Sequence, residues 1–544
     1  MLNGLISREK DPEGLLRLVG EELPNFNDVN VATAFRIFGT LCDSSSFPRN
    51  IAADDRFRGH MARARAMCAD GRLQAQAVAN IIHSVATLSK AGKLAADDAD
   101  VQDMLSALEQ RVVLVASDME PQHVSNTSWG FATLGLTPGA EARAVMEAAV
   151  VREARGMKSQ EVSNTSWALA TLGLMPGAAA PAALEATVVR EARAMKPQEV
   201  SNTSWAFATL GLMPGAEARA ALEVAVVRVG PAMKPQETAN ILWSFSTLRL
   251  TPGAEARAAL EAAVVLVGPA MNAQEVANTV LAYATLGLTP GAEAMAALEA
   301  AVVRVGPAMT PHAVANTLWS FPAMAATRSL PLPACYPSLW LLAHGLDVGS
   351  LKDVGLRMMF HAHLILTELV RGDVLDEVTF PPWIMLEARE AWMRNVRDDV
   401  TVSSDHKKIA TIIGDLGVRH EVESLSDGHC FSVDVFLPDH DVAVEFDGPT
   451  HFINASDGGE GGAPGDAASR TTRTVKTEMR DMFLRNRYRI RQFLHCLFPA
   501  ESGSEIFSRK LQCKFKKVFS IGVGNFFRLQ YSEPSFPIQP QNNL

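Results

Sequence analysis

A chain of 544 residues with 48% hydrophobic and 20% charged positions is long and apolar enough for two or more folded units and is not disordered. Prolines and charges interrupt every apolar run before it could cross a bilayer, which argues against a membrane-spanning helix. Six cysteines without metal-ligand spacing or a secretory leader point to free thiols in a reducing compartment. A net charge of −10 argues against an evenly basic nucleic-acid binder, so any such surface has to be local.

The first residues, Met1 to Asp11, have neither a signal-peptide core nor the acid-free, Arg- and Ser-rich run of an organelle transit peptide. Import information is either absent or lies before this start. Residues 1–72 read as a helical amino-terminal region, with Val31 to Phe38 as a worn repeat.

From residue 73 to 328 the chain repeats itself. Asn126, Asn164, Asn202, Asn240, Asn278 and Asn316 follow one another at a constant interval of 38 residues. Three positions after each stands Trp129, Trp167, Trp205, Trp243, Leu281 or Trp319, and a degenerate earlier copy has Asn80 and His83. Each copy reads as two helices. In one, Pro197 and Glu199 suit a helix amino terminus, Gly211 with Pro214 stops that helix, and an alanine-rich helix runs from Ala216 to about Val229. A hairpin this short cannot bury its apolar stripe alone, so the copies are expected to stack into an α-solenoid. The tryptophans are expected to fill the core between repeats, and the invariant asparagines to cap or bridge helices.

The period, the paired helices and the Pro-Gln-Glu-x-x-Asn-x-x-Trp-Ala pattern resemble the octotricopeptide repeat of algal organellar RNA-expression factors. Thr-Pro-Gly-Ala-Glu or Met-Pro-Gly-Ala-Glu stands where that family opens a helix with Pro-Pro-Glu-Trp. The resemblance implies that the solenoid contacts single-stranded RNA, mRNA or rRNA, at one base per repeat. Helical spacing places Glu199, Asn202, Thr203 and Ala206 on one stripe. The columns that vary between copies, including Glu161, Glu199, Glu237, Thr165 and Thr203, are the expected readers. Their near-uniformity implies a low-complexity target or weak discrimination. The acidic balance keeps a protein-binding scaffold open as an alternative, with protein partners along the solenoid.

After a connector at 329–400, residues 401–526 read as a small α/β domain and 527–544 as a flexible tail. Strands are expected over 419–423, 430–437, 442–447 and 488–494, with a helix over 473–487 before the last. Asp434, Glu445 and Asp447 project from neighbouring strands and suggest a divalent-cation site. Ser432 to Val435, the string Glu445-Phe446-Asp447-Gly448-Pro449-Thr450-His451-Phe452, and Lys476 with Arg480 resemble the RAP domain. The helices around His361 and Trp392 resemble the segment preceding it in algal and FAST-kinase-like proteins. The RAP resemblance implies a restriction-endonuclease-like fold, binding or processing of organellar RNA in a chloroplast or mitochondrion, and no cofactor for binding. A metal-dependent ribonuclease would place Mg²⁺ or Mn²⁺ on Asp434 and Glu445, with Asp447 and Lys476 completing it. Asp447 stands where the nuclease signature has a lysine. Arg473, Lys476, Arg480, Arg485, Arg487, Tyr488 and Arg489 belong to the densest basic stretch and are the expected phosphate and base contacts of this domain.

Overall fold

The computed structural model of the chain describes residues 2–346, 348–370, 382–398, 410–411, 413–415, 417–425, 431–439, 442–447, 452–454, 471–488 and 492–497. The chain forms two compact units, Met1–Ser244 and Phe245–Leu544. Among the described residues no helix is long and apolar enough to cross a membrane.

The first unit contains α1 (Leu2–Arg8), α2 (Pro12–Glu22), α3 (Asp28–Leu41), α4 (Asp55–Ala69), α5 (Ala75–Lys90), α6 (Ala99–Val115), α7 (Pro121–Leu134), α8 (Ala140–Glu153), α9 (Ser159–Thr171), α10 (Ala179–Glu191), α11 (Pro197–Thr209) and α12 (Ala216–Val229). The division between the units falls within α13 (Pro235–Thr247). Odd helices pack on odd ones from α1 to α11, and even helices on even ones from α2 to α12. The result is a two-layered solenoid of hairpins that begins at the first helix, not at residue 73. The first two hairpins lack the Asn and Trp signature, which is why the sequence shows them only as helices.

Local chemistry sets the hairpins. The Glu161 and Glu199 carboxylates accept the backbone N–H of Lys158 and Lys196 at 2.7 and 2.9 Å, closing the first turn of α9 and α11. Gly135, Gly173 and Gly211, with φ of 66°, 62° and 65°, end the odd helices in the left-handed conformation that glycine tolerates best.

Between hairpins the stack is held by side chains that reach backbone. Arg152 at the end of α8 donates to the carbonyls of Ala116 and Met119 at 2.9 and 3.0 Å. One repeat on, Arg190 donates to Met157 at 2.6 Å, and Arg228 donates to Met195 in the next. Running the other way, Glu109, Glu147 and Glu185 accept the N–H of Gly139, Gly177 and Gly215 at 2.6, 2.8 and 2.6 Å. Leu114 takes the arginine position of its repeat and is exposed; Arg111 replaces it by donating to Leu73 and Gly71, both at 2.7 Å.

The second unit contains α14 (Ala254–Val267), α15 (Ala273–Leu286), α16 (Ala292–Val305), α17 (Pro311–Arg328), α18 (Tyr336–His344), α19 (Asp353–Leu364) and α20 (Pro382–Asp398). Then follow β1 (Glu421–Leu425), β2 (Ser432–Leu437), β3 (Val442–Asp447), β4 (Phe452–Asn454), β5 (Thr471–Arg473), α21 (Val475–Tyr488) and β6 (Gln492–Leu497). Within this unit α15, α17 and α19 pack in one layer and α14 packs on α16 in another. The strands form a four-stranded sheet in the order β1-β2-β3-β6, antiparallel except for β3 with β6, and a separate antiparallel pair β4-β5. The parallel β3–β6 pair needs a long crossover, and α21 lies in it.

This sheet module and the last repeats belong to one body. Helix α21 packs on α15 and α17, and Arg328 joins them by donating to Gly287 O at 2.6 Å and pairing with Glu478 at 3.2 Å. His361 of α19 lies against Trp392 of α20 and Phe483 of α21, with ring centroids 5.0 and 5.9 Å away, and Phe431 stacks on Phe483 at 5.1 Å. The last strand lies at 492–497 instead of 488–494, and the β4–β5 pair was not foreseen. Residues 448–451, the glycine-rich stretch at 457–466, Arg489 and the expected tail at 527–544 lie outside the described residues.

Candidate nucleic-acid interface

The odd helices of the first unit each present one solvent stripe. In α9 it consists of Gln160, Asn164, Trp167 and Thr171, whose spacing of four, three and four residues keeps them on a single helical face. Gln160 and Thr171 are exposed, and Asn164 and Trp167 are half-buried. The same arrangement appears as Gln198, Asn202, Trp205 and Thr209 in α11, and as Gln122, Asn126 and Trp129 in α7, where Thr133 is half-buried. Gln236, Asn240 and Trp243 carry it into α13.

Three expectations are corrected here. The asparagines neither cap nor bridge: the side-chain amides of Asn126, Asn164, Asn202 and Asn240 make no hydrogen bond to any described residue. The tryptophans of this unit are not core; Trp205 rests one side on Ala170, Ala206 and Leu210 and leaves part of its indole in solvent. The solvent stripe is also rotated from the expected one. Thr165, Thr203 and Ala206 are 0% exposed, and Glu199 and Glu237 are 8% and 9% exposed.

The glutamates have work within the fold. Glu161 and Glu199 close helix turns as described, and Glu237 accepts Lys234 N–H at 2.7 Å. In the earlier copy His123 does the same, accepting Glu120 N–H at Nδ1 over 3.2 Å while burial lowers its pKa. Glu161, Glu199, Glu237, Thr165 and Thr203 are therefore parts of the scaffold, and the groups left facing solvent are Gln, Asn, Trp and Thr.

Cations flank that stripe. Arg155, Lys158, Arg193, Lys196 and Lys234 are exposed just before or at the amino ends of α9, α11 and α13. Helix amino termini carry partial positive charge, which adds to theirs.

Two contacts show what these indoles accept. The His83 imidazole lies 4.7 Å from the Trp129 ring, tilted by 33°, and burial lowers its pKa, favouring the neutral ring. Lys90 places its Nζ 5.8 Å from the centre of the same indole. In the second unit the pattern changes. Leu281 replaces tryptophan beside Asn278, and Asn316 and Trp319 are buried, with Trp319 Nε1 donating to His361 Nδ1 at 3.0 Å.

In the sheet module, Asp434 of β2 is half-buried. The pairing of Val435 with Val444 sets Asp434 and Glu445 at adjacent ladder positions, with Asp447 two residues along β3. Among the described residues no group of three His, Cys, Asp or Glu side chains could hold a metal ion. Lys476 and Arg480 lie one helical turn apart in α21, the first exposed and the second half-buried. Desolvation of the Lys476 ammonium and the nearby cations Arg249 and Arg357 lower its pKa. Although Lys476 keeps an exposed surface, protein atoms crowd its ammonium group. Arg473 ends β5, and Arg485, Arg487 and Tyr488 form the end of α21.

No family model matches the chain, and no curated protein matches it either.

Proposed function

We propose that the first unit binds single-stranded RNA along the stripe of Asn and Trp side chains, with the basic α21 of the second unit adding phosphate contacts. The observation that carries this reading is the fourfold recurrence of a half-exposed amide without a partner beside a half-exposed indole. Stacked helices lie about 8–10 Å apart, whereas bases in a stacked strand rise by about 3.4 Å. One base per repeat therefore requires a strand with its bases splayed, and an aromatic face at each step supplies the stacking that the strand gives up. Such stacking contributes about 1–3 kcal/mol per base. The cations beside the stripe neutralise phosphate, which answers the objection raised by the acidic total. Taken with the resemblance to octotricopeptide and RAP proteins, the reading extends to the stability, processing or translation of organellar mRNA or rRNA.

The test is a fluorescence-anisotropy titration of labelled single-stranded RNA with the full chain and with Trp167→Ala/Trp205→Ala, run with and without Mg²⁺. Tight binding that the double variant weakens by about a hundredfold, at 1–3 kcal/mol for each lost stack, is expected. Unchanged binding in the variant would remove the stripe from the interface. Metal-dependent cleavage abolished by Asp434→Ala/Glu445→Ala would establish the nuclease alternative instead.

A further inference from the structure

A stripe built from identical parts reads identical letters. At four successive steps the first unit presents the same triplet: Gln122, Asn126 and Trp129; Gln160, Asn164 and Trp167; Gln198, Asn202 and Trp205; Gln236, Asn240 and Trp243. The residues that vary between copies, such as the helix-closing His123 and Glu161, are engaged in the fold. Apart from the His83 and Lys90 contacts on Trp129, the face carries the same groups at every step.

Resting on the RNA reading above, we propose that this face selects a run of adenines, one nucleotide for each Asn–Trp pair. A carboxamide offers one donor group and one acceptor side by side. Adenine presents the complementary pair, the N6 amino group and N7, and Asn or Gln contacts it in bidentate fashion. The four asparagine amides are available for that contact because no described residue engages them. The indoles of Trp167 and Trp205 keep part of their surface in solvent, and a purine covers more of an indole than a pyrimidine does. One nitrogen ring already lies against this position, the His83 imidazole 4.7 Å from the Trp129 ring. In the second unit a ring nitrogen of His361 accepts the Trp319 indole N–H.

The cations sit on one side of the stripe. Arg155, Lys158, Arg193, Lys196 and Lys234 lie at the amino ends of the helices whose middles carry the asparagines and tryptophans. A strand laid across the repeats places its phosphates on that row and its bases on the amides. The capping carboxylates of Glu161, Glu199 and Glu237 lie beside the same row, and each accepts a backbone N–H.

The experiment compares labelled RNA twelve-mers of adenine, uracil, cytosine and mixed sequence, titrated with the full chain at low salt without metal. A second arm uses Asn164→Ala/Asn202→Ala, whose helicity is checked by circular dichroism. The expected result is that the adenine strand binds at least about tenfold more tightly than the mixed strand, from bidentate contacts contributing about 1–3 kcal/mol each. In the variant the adenine strand loses more affinity than the mixed strand does, so the ratio between the two falls toward one. Equal affinity for adenine and mixed strands would overturn the homopolymer inference and leave the RNA reading standing. Tightest binding of uracil or cytosine would overturn the adenine assignment. No binding of any strand would overturn the RNA reading together with it.

Discussion

Acid should loosen the first unit through one residue, His60. This imidazole in α4 is 0% exposed and is enclosed by aromatics, with Phe35 at 4.4 Å, Phe26 at 5.9 Å and Phe57 at 6.4 Å between ring centroids. Burial drives its pKa down from 6.5 to about 3, against a small opposing contribution from the Val31 backbone. Because the folded value lies below the unfolded one, the unfolded chain binds the proton more readily between them. Stability is therefore fully present above the unfolded pKa and declines as the pH falls toward the folded one. Between about pH 7.5 and pH 5 the loss is about 2 kcal/mol, and it approaches about 4–5 kcal/mol near the folded pKa. The assay is native-state hydrogen exchange of α3 to α5 at both pH values, in the natural chain and in His60→Leu. The variant costs some packing at either pH, so the quantity compared is the change with pH. If His60→Leu loses as much stability between the two pH values as the natural chain does, the histidine is not the source and the reasoning fails.

Three further outcomes follow from other parts of the fold. Arg190→Ala deletes a charge-assisted bond to a backbone carbonyl and should destabilise α9 and α10 by about 1–2 kcal/mol, read by local hydrogen exchange. Arg193→Ala nearby, an exposed side chain, should cost less than about 0.5 kcal/mol. Arg249 has a φ of 53° at the position where neighbouring copies have glycine, so Arg249→Gly should raise the local stability of the second unit by about 0.5–1 kcal/mol, measured by the same method. Replacing Lys158, Lys196 and Lys234 together by glutamine should make the slope of log affinity for RNA against log salt shallower by about 2, at about 0.7 for each lost phosphate contact on a single strand. An unchanged slope would show that the strand does not follow that row.

The architecture was legible where the sequence repeats and obscure where it does not. The period, proline near the helix start and glycine at its end predicted the hairpins, and the expected strands at 430–437 and 442–447 overlap β2 and β3. The amino-terminal hairpins escaped notice because α1 to α4 keep the packing without the signature. The solvent-facing stripe differs from the expected one by a rotation of the helix. A side chain three or four positions away in sequence shares a face, but spacing alone does not say which of two adjacent faces meets the neighbouring repeat. Burial of Thr203 and exposure of Gln198 settle that choice. Nor could the inter-repeat bonds of Arg190 and Glu185 be read from the chain, because their partners are backbone groups about 30 residues or more away.

Those backbone partners free the surface from a structural duty. Arginine and glutamate on the even helices hold the repeats together through carbonyls and amides, which every residue type supplies. The asparagines on the odd helices make none of these bonds and can therefore vary without unlocking the stack, yet four copies are alike. The even helices are also similar from copy to copy, so uniformity by itself points to little divergence among repeats and does not demonstrate selection for a ligand. The chemical consequence is the same for either history. A strand of one repeated base can shift by a nucleotide and meet an equivalent set of amides and indoles, so a long tract offers several equal registers where a short one offers one. Such a surface gains affinity from the number of registers as well as from each contact. On the proposed adenine reading, the surface would measure the length of a tract better than it recognises a particular sequence.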